Sequence, residues 1–170
     1  YATFANNGVY QKLKYVEGDT LNTDTLRLMS SGAAYMTTEI LSKITRPDLP
    51  DNYANILRIP HIAWKTGTSY GRRDAWSIGY NKRFTVGVWL GNYNGNGVAE
   101  LSGASVATPL LFDIFNAIDY DNDSTWFSPP ADVNFRLVCS ETGLLPGVNC
   151  SNQIMDEFLP GITSNAVCTH

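Results

Sequence analysis

Lys65-Thr66-Gly67-Thr68-Ser69 stands directly behind the apolar run Ile62-Ala63-Trp64. It sets an ammonium group, three hydroxyls and a glycine in five consecutive positions. On an extended strand, residues two apart share a face, so Lys65, Gly67 and Ser69 point one way and Thr66 and Thr68 the other. Gly67 removes a side chain where another backbone or a ligand can come close. The combination suits a small carboxylate, with charge from Lys65 and hydrogen bonds from the hydroxyls. Taken alone the segment is too short to name an activity, and a strand running out into a turn would look similar.

The surrounding pattern places this segment. Asn7-Gly8 signals a turn, and Val9-Tyr10 with Leu13 and Tyr15 indicate short strands. Leu28, Met29, Ala33, Met36, Ile40, Leu41 and Ile44 recur at helical steps, which predicts a helix over roughly 24–44. Thr23 or Asp24 would cap it, and Pro47 forbids its continuation. Three strands come next in close succession, Ile59 to Thr68, Ala75 to Tyr80 and Phe84 to Leu90. The short links Gly71–Asp74 and Asn81–Arg83 make them an antiparallel meander. A second helix carries Val106, Leu110, Leu111, Ile114, Phe115 and Ile118, with Ser102 or Ser105 as cap and Pro109 in its first turns. The expected class is α+β, an antiparallel meander flanked by helices. Residues 1–120 form that unit, and 121–170 read as a linker and an irregular tail holding all three cysteines.

Composition narrows the function. Of the 170 residues, 44% are hydrophobic and 16% charged, with net charge −4. No basic cluster exceeds Arg72-Arg73, which argues against a nucleic-acid surface. No apolar run approaches a membrane span. The chain opens without Met and already in full pattern, as a piece of a longer protein would.

Several wider stretches carry a resemblance. Lys-Thr-Gly is the third signature of the penicillin-recognising serine enzymes, beside S-x-x-K and S-D-N. "YATFANNGVY" resembles the segment after the second signature in penicillin-binding proteins, and "KTGTSYGRRDAWSIGYNKRFTVGVWLGNYNG" resembles their Lys-Thr-Gly strand and the next two. "GASVATPLLFDIFNAI" resembles the last helix of their transpeptidase domain. The Tyr70–Trp76 continuation and the cysteine tail point to the bifunctional class A 1C type. The resemblance implies a partial penicillin-binding fold, the C-terminal half of a transpeptidase domain. It also implies acyl transfer on D-Ala-D-Ala stem peptides, inhibition by β-lactams, and no cofactor.

Carried over residue by residue, Lys65 would tune the proton network of the nucleophile. Thr66 and Thr68 would hold a carboxylate, and the Thr68 N–H would supply part of an oxyanion hole. Gly67 would leave room for the substrate backbone, and Ser69 would sit behind these groups. S-x-x-K and S-x-N are absent; Tyr53-Ala54-Asn55 and Tyr120-Asp121-Asn122 fall in the wrong order. The nucleophile is therefore expected upstream, in the preceding half of the same domain, and this chain alone is expected to be inactive. The location implied is periplasmic, in a full-length protein anchored to the inner membrane and carrying a glycosyltransferase. A β-lactamase or carboxypeptidase, and a catalytically silent peptide-binding module, are the rival readings.

Other residues take plainer readings. His61 has no neighbouring Ser or Asp pattern, Arg72 and Arg73 belong to a turn, and Trp64, Trp76 and Trp89 sit at strand positions. Asp119, Asp121 and Asp123 lack the pattern of a calcium loop and read as linker. In an extracytoplasmic tail, Cys139 and Cys150, with ten residues between them, are expected to form a disulfide. A Cys₃His zinc set with Cys168 and His170, or unbonded thiols, are the alternatives, and no metal is assigned.

Overall fold

The computed structural model describes residues 1–18, 24–46, 60–119 and 126–169. Thr23, Pro47, Ile59, the two Tyr-x-Asn triplets, Asp121, Asp123 and His170 lie outside the described residues. The order is α1 (Ala2–Ala5), β1 (Val9–Gln11), β2 (Thr25–Arg27), α2 (Ser31–Ser42), β3 (Ala63–Thr68), β4 (Asp74–Tyr80) and β5 (Thr85–Gly91). A π-helical turn (Gly103–Ala107) then leads into α3 (Thr108–Asp119), with β6 (Asn134–Cys139) and β7 (Gln153–Phe158) after it. The class is α+β, and all three sheets are antiparallel.

The central meander runs β3-β4-β5, with Lys65 opposite Ile78 and Gly67 opposite Trp76. Its core is built on α3, whose Leu111, Phe112 and Phe115 pack with Ile62, Trp64, Val88 and Ala107. Each Leu, Ile, Val or Phe side chain among them contributes about 1.5–3 kcal/mol when fully buried. Leu110 and Ile118, expected in the stripe, are half exposed, and Phe112 is buried instead. Leu111, Phe112 and Phe115 thus make up the face of α3 turned to the sheet. Ser102 makes no capping bond at the π-helical turn; Thr108 Oγ1 donates to Gly103 O and also bonds Ser77 Oγ.

The first long helix starts later than its periodicity implies. Ser30 accepts a hydrogen bond from the Ala33 N–H and is its cap. Residues 25–27 are instead a strand on β1. They are tied down through Gly8, whose φ of +83° and contact with Met29 O leave no room for a Cβ. The buried face of α2 is Gly32, Ala34, Tyr35 and Thr38, while Ile40 is exposed. Small residues prevail there because the helix lies close to β3 and to the tail. Thr38 and Tyr80 share a buried 2.8 Å hydrogen bond beneath it, and burial raises the Tyr80 pKa.

The tail is not irregular. Phe135–Val138 and Ile154–Glu157 pair in a two-stranded sheet, which the intervening Gly, Pro and Cys residues obscure in the sequence. It is clamped to α2. Asp132 accepts from the Gly32 N–H at 2.9 Å, Tyr35 donates to Glu157 at 3.0 Å, and Val133 and Leu159 pack on Tyr35. Burial first, and then the Glu157 contact, raise the Tyr35 pKa.

Asp119 is no solvated linker residue. It is buried at the end of α3, where it accepts from Asn81 Nδ2 and from Arg83, and Asn81 Oδ1 closes the β4–β5 turn on the N–H groups of Arg83 and Phe84. Asp119→Ala is expected to destabilise the chain by about 2 kcal/mol, because Asn81 loses its acceptor in a buried place. Urea unfolding would measure this, and a loss below about 0.5 kcal/mol would refute the assignment.

Candidate substrate-binding edge

Among the described residues β3 pairs with β4 alone, and no strand lies on its other edge. The segment Lys65–Thr68 forms the last four positions of that strand. Trp64 anchors its buried end against Phe112, with ring centroids 5.5 Å apart. The strand then passes from core to surface, since Lys65, Gly67 and Thr68 are exposed.

Lys65 Nζ donates to the Thr66 carbonyl at 3.0 Å, which holds the ammonium along the edge. Thr66 and Thr68 lie on the opposite face, toward the π-helical turn, where the Gly103 N–H donates to Thr68 Oγ1 at 3.0 Å. That contact fixes the Thr68 side chain and leaves its hydroxyl proton available.

Two glycines meet here with different roles. Among the described residues a Cβ on Gly67 would touch only Trp76 Cβ, at 3.8 Å, so none of their contacts requires glycine at that position. A Cβ on Gly103 would lie 2.4 Å from Trp76 O and 2.8 Å from Gly67 O. Sequence reading singled out Gly67 and missed Gly103, whose only signal was a small residue ahead of a helical pattern.

Ser69 does not extend the row of exposed hydroxyls. Its oxygen accepts from the N–H groups of Arg73 and Asp74, at 3.1 and 2.8 Å, and so holds the β3–β4 turn. In that turn Arg72 adopts φ +51° and borders a shallow groove of about 500 Å³ with Tyr70, Gly71, Gly97, Val98 and Ala99. Trp76 and Trp89 form an exposed cross-strand pair on the face of Lys65 and Gly67. His61 lies elsewhere, stacked on Trp126 with centroids 3.6 Å apart.

Cys139 and Cys150, expected to pair, are both buried, and with Cys168 they bring three sulfurs within 4.8 Å of one another. Hydrogen bonds from the Thr142 side chain and the backbone of Glu141 and Thr142 hold the Cys139 pKa down, to about 6. Burial and the neighbouring thiols push Cys150 up to about 11.

A comparison with known proteins gives this geometry its context. The chain is 42% identical over 118 residues to penicillin-binding protein 1C of Escherichia coli K12, a match covering 69% of this chain. Its relatives are class A penicillin-binding proteins. Penicillin-binding protein 1A of Clostridium perfringens matches along the whole chain at 24% identity. The chain spans only 15% of the first relative's length and 22% of the second's. Among solved structures, penicillin-binding protein 1A from Haemophilus influenzae superposes with a TM-score of 0.66 over 84% of this chain. At 19% identity that likeness concerns the fold, which is thus a partial penicillin-binding protein fold. No family model matches the chain. Within the described residues no helix is long and apolar enough to cross a membrane.

Proposed function

We propose that this chain carries the substrate-binding edge of a peptidoglycan DD-transpeptidase, with residues 1–120 as the C-terminal part of its transpeptidase domain. The observation that supports it most is a Lys65-Thr66-Gly67-Thr68 segment running out to the surface on a strand with no second strand partner among the described residues.

A stem peptide would lie along β3 as an added strand, its backbone pairing with the edge away from β4. The Thr68 hydroxyl, held by Gly103, would donate to the terminal carboxylate, with Thr66 beside it. Gly67 leaves the approach clear. A serine outside these 170 residues would attack the penultimate D-Ala carbonyl, since S-x-x-K is absent here. The Thr68 N–H would stabilise the developing oxyanion, an effect of about 3 kcal/mol per donor. Lys65 would balance charge and proton transfer at that serine. The C–N bond to the terminal D-Ala then breaks, and an amine of a second stem peptide takes the acyl group and frees the serine. β-Lactams would acylate the same serine, and no cofactor enters.

In this reading the full-length protein is a bifunctional, extracytoplasmic, membrane-anchored enzyme with a glycosyltransferase, and its synthetic partner is peptidoglycan. The upstream half of the domain is the chain's obligatory partner. Intact mass after incubation with benzylpenicillin tests this on the 170-residue chain and on a form extended upstream through the whole domain. Addition on the extended form alone is expected. Addition on the short chain would refute the upstream nucleophile. A folded extended form that gains no mass would leave a silent peptide-binding module, and rapid hydrolytic loss of the adduct would mark a β-lactamase or carboxypeptidase.

A further inference from the structure

The three cysteines have no part in the proposed reaction, yet each is steered to one point by a separate backbone device. Cys139 ends β6; its N–H donates to Leu144 O at 2.8 Å, and the Gly143 N–H returns to Cys139 O at 2.8 Å. Gly143, at φ +68°, allows that tight reversal. Cys150 precedes β7 and is held by its N–H on Gly147 O. Cys168 comes from the far end of the tail, where its N–H donates to Leu145 O and the Leu145 N–H to Ala166 O.

The three sulfurs therefore converge within 4.8 Å, on residues 1%, 8% and 5% exposed. Leu144 is the one partly buried hydrophobic packed against them among the described residues, so the sulfurs are the interior of this end of the tail. A unit with so small an apolar interior needs a staple, either a disulfide or a metal. A disulfide uses two sulfurs, whereas one metal ion engages all three. Thiolates about 2.3 Å from a tetrahedral zinc stand about 3.8 Å apart, which these sulfurs reach with small shifts. A donor already points at one of them, the Gly147 N–H to Cys168 Sγ at 3.1 Å. Such outer hydrogen bonds orient and stabilise thiolate ligands.

We propose that Cys139, Cys150 and Cys168 bind one zinc ion that staples the tail, with the fourth position taken by water or a further side chain. Binding releases the thiol protons and changes no oxidation state.

The test is metal analysis and intact mass of the 170-residue chain, purified without chelator or reductant. About one zinc per chain is expected, with a denatured mass equal to three thiols, and a chelator should remove the zinc and lower Tm. Cys139→Ser, Cys150→Ser and Cys168→Ser should each weaken zinc binding at least ~10-fold, read by competition with a chromophoric chelator. A mass lighter by two hydrogens, with Cys168→Ser harmless to stability, would mean a disulfide and overturn the proposal. So would an all-thiol wild-type chain that takes up no zinc when titrated with the metal, or that holds iron or copper instead.

Discussion

Alanine at position 65 is expected to slow acylation by benzylpenicillin on the order of 10²–10⁴-fold in the form extended through the whole domain, the range usual for a proton-transfer group. Folding should be nearly untouched. Lys65 is exposed, and its hydrogen bond is a surface contact to the neighbouring carbonyl. Exposed substitutions of this kind change stability by about 0.5 kcal/mol or less. The measurement is the second-order acylation rate by mass spectrometry or fluorescent penicillin, beside a urea unfolding curve. A rate within threefold of wild type in a folded variant would remove Lys65 from the machinery, and with it the main support for the proposed function. Lys65→Arg is the informative companion. It keeps the charge but not the compact ammonium, so most of the loss should persist if Lys65 handles a proton.

The second large effect separates the two glycines. Gly103→Ala should destabilise the 170-residue chain by about 3 kcal/mol, because the new Cβ meets two backbone carbonyls that cannot yield like a flexible side chain. It would also push the π-helical turn off β3 and cost Thr68 the N–H that holds its hydroxyl. Gly67→Ala should do the reverse. Among the described residues its Cβ meets a single atom, and the backbone there is an ordinary strand, so stability should hold or rise slightly. Acylation of the extended form should nevertheless fall, since the methyl would stand where a ligand approaches the edge. Thermal or urea unfolding of both variants decides the matter. Equal stability losses would mean that Gly67 is a packing residue, and the proposed substrate edge would lose its meaning.

Much of this was legible in the sequence. The meander was plain because β-branched and aromatic residues in "FTVGVWL" and "AWSIGY" are broken by turn signals at 71–74 and 81–83. The strand-end position of Lys65–Thr68 came with that. The first helix was misplaced at its start because Leu28 and Met29 happen to continue its period. Apolar spacing does not tell a helical residue from one held by long-range strand pairing to residues 9–11. The tail's strands were hidden for a related reason, since their pairing closes over a loop from 140 to 152 and leaves little local signal. Ser69 looked like part of a hydroxyl row until its bonds to Arg73 and Asp74 assigned it to the turn.

The sequence by itself determined the kinship, the α+β class and the place of Lys65–Thr68 at the end of a meander strand. These rest on local order: which residue types succeed one another, and at what period. Tertiary structure alone decided that Gly103 clamps the strand, that Asp119 is buried under Arg83, that the tail grips α2, and that three cysteines from 139 to 168 share one point. Each of those is a contact between residues far apart in the chain. Such contacts are set by how the packed elements lie together, and no short window of sequence contains them.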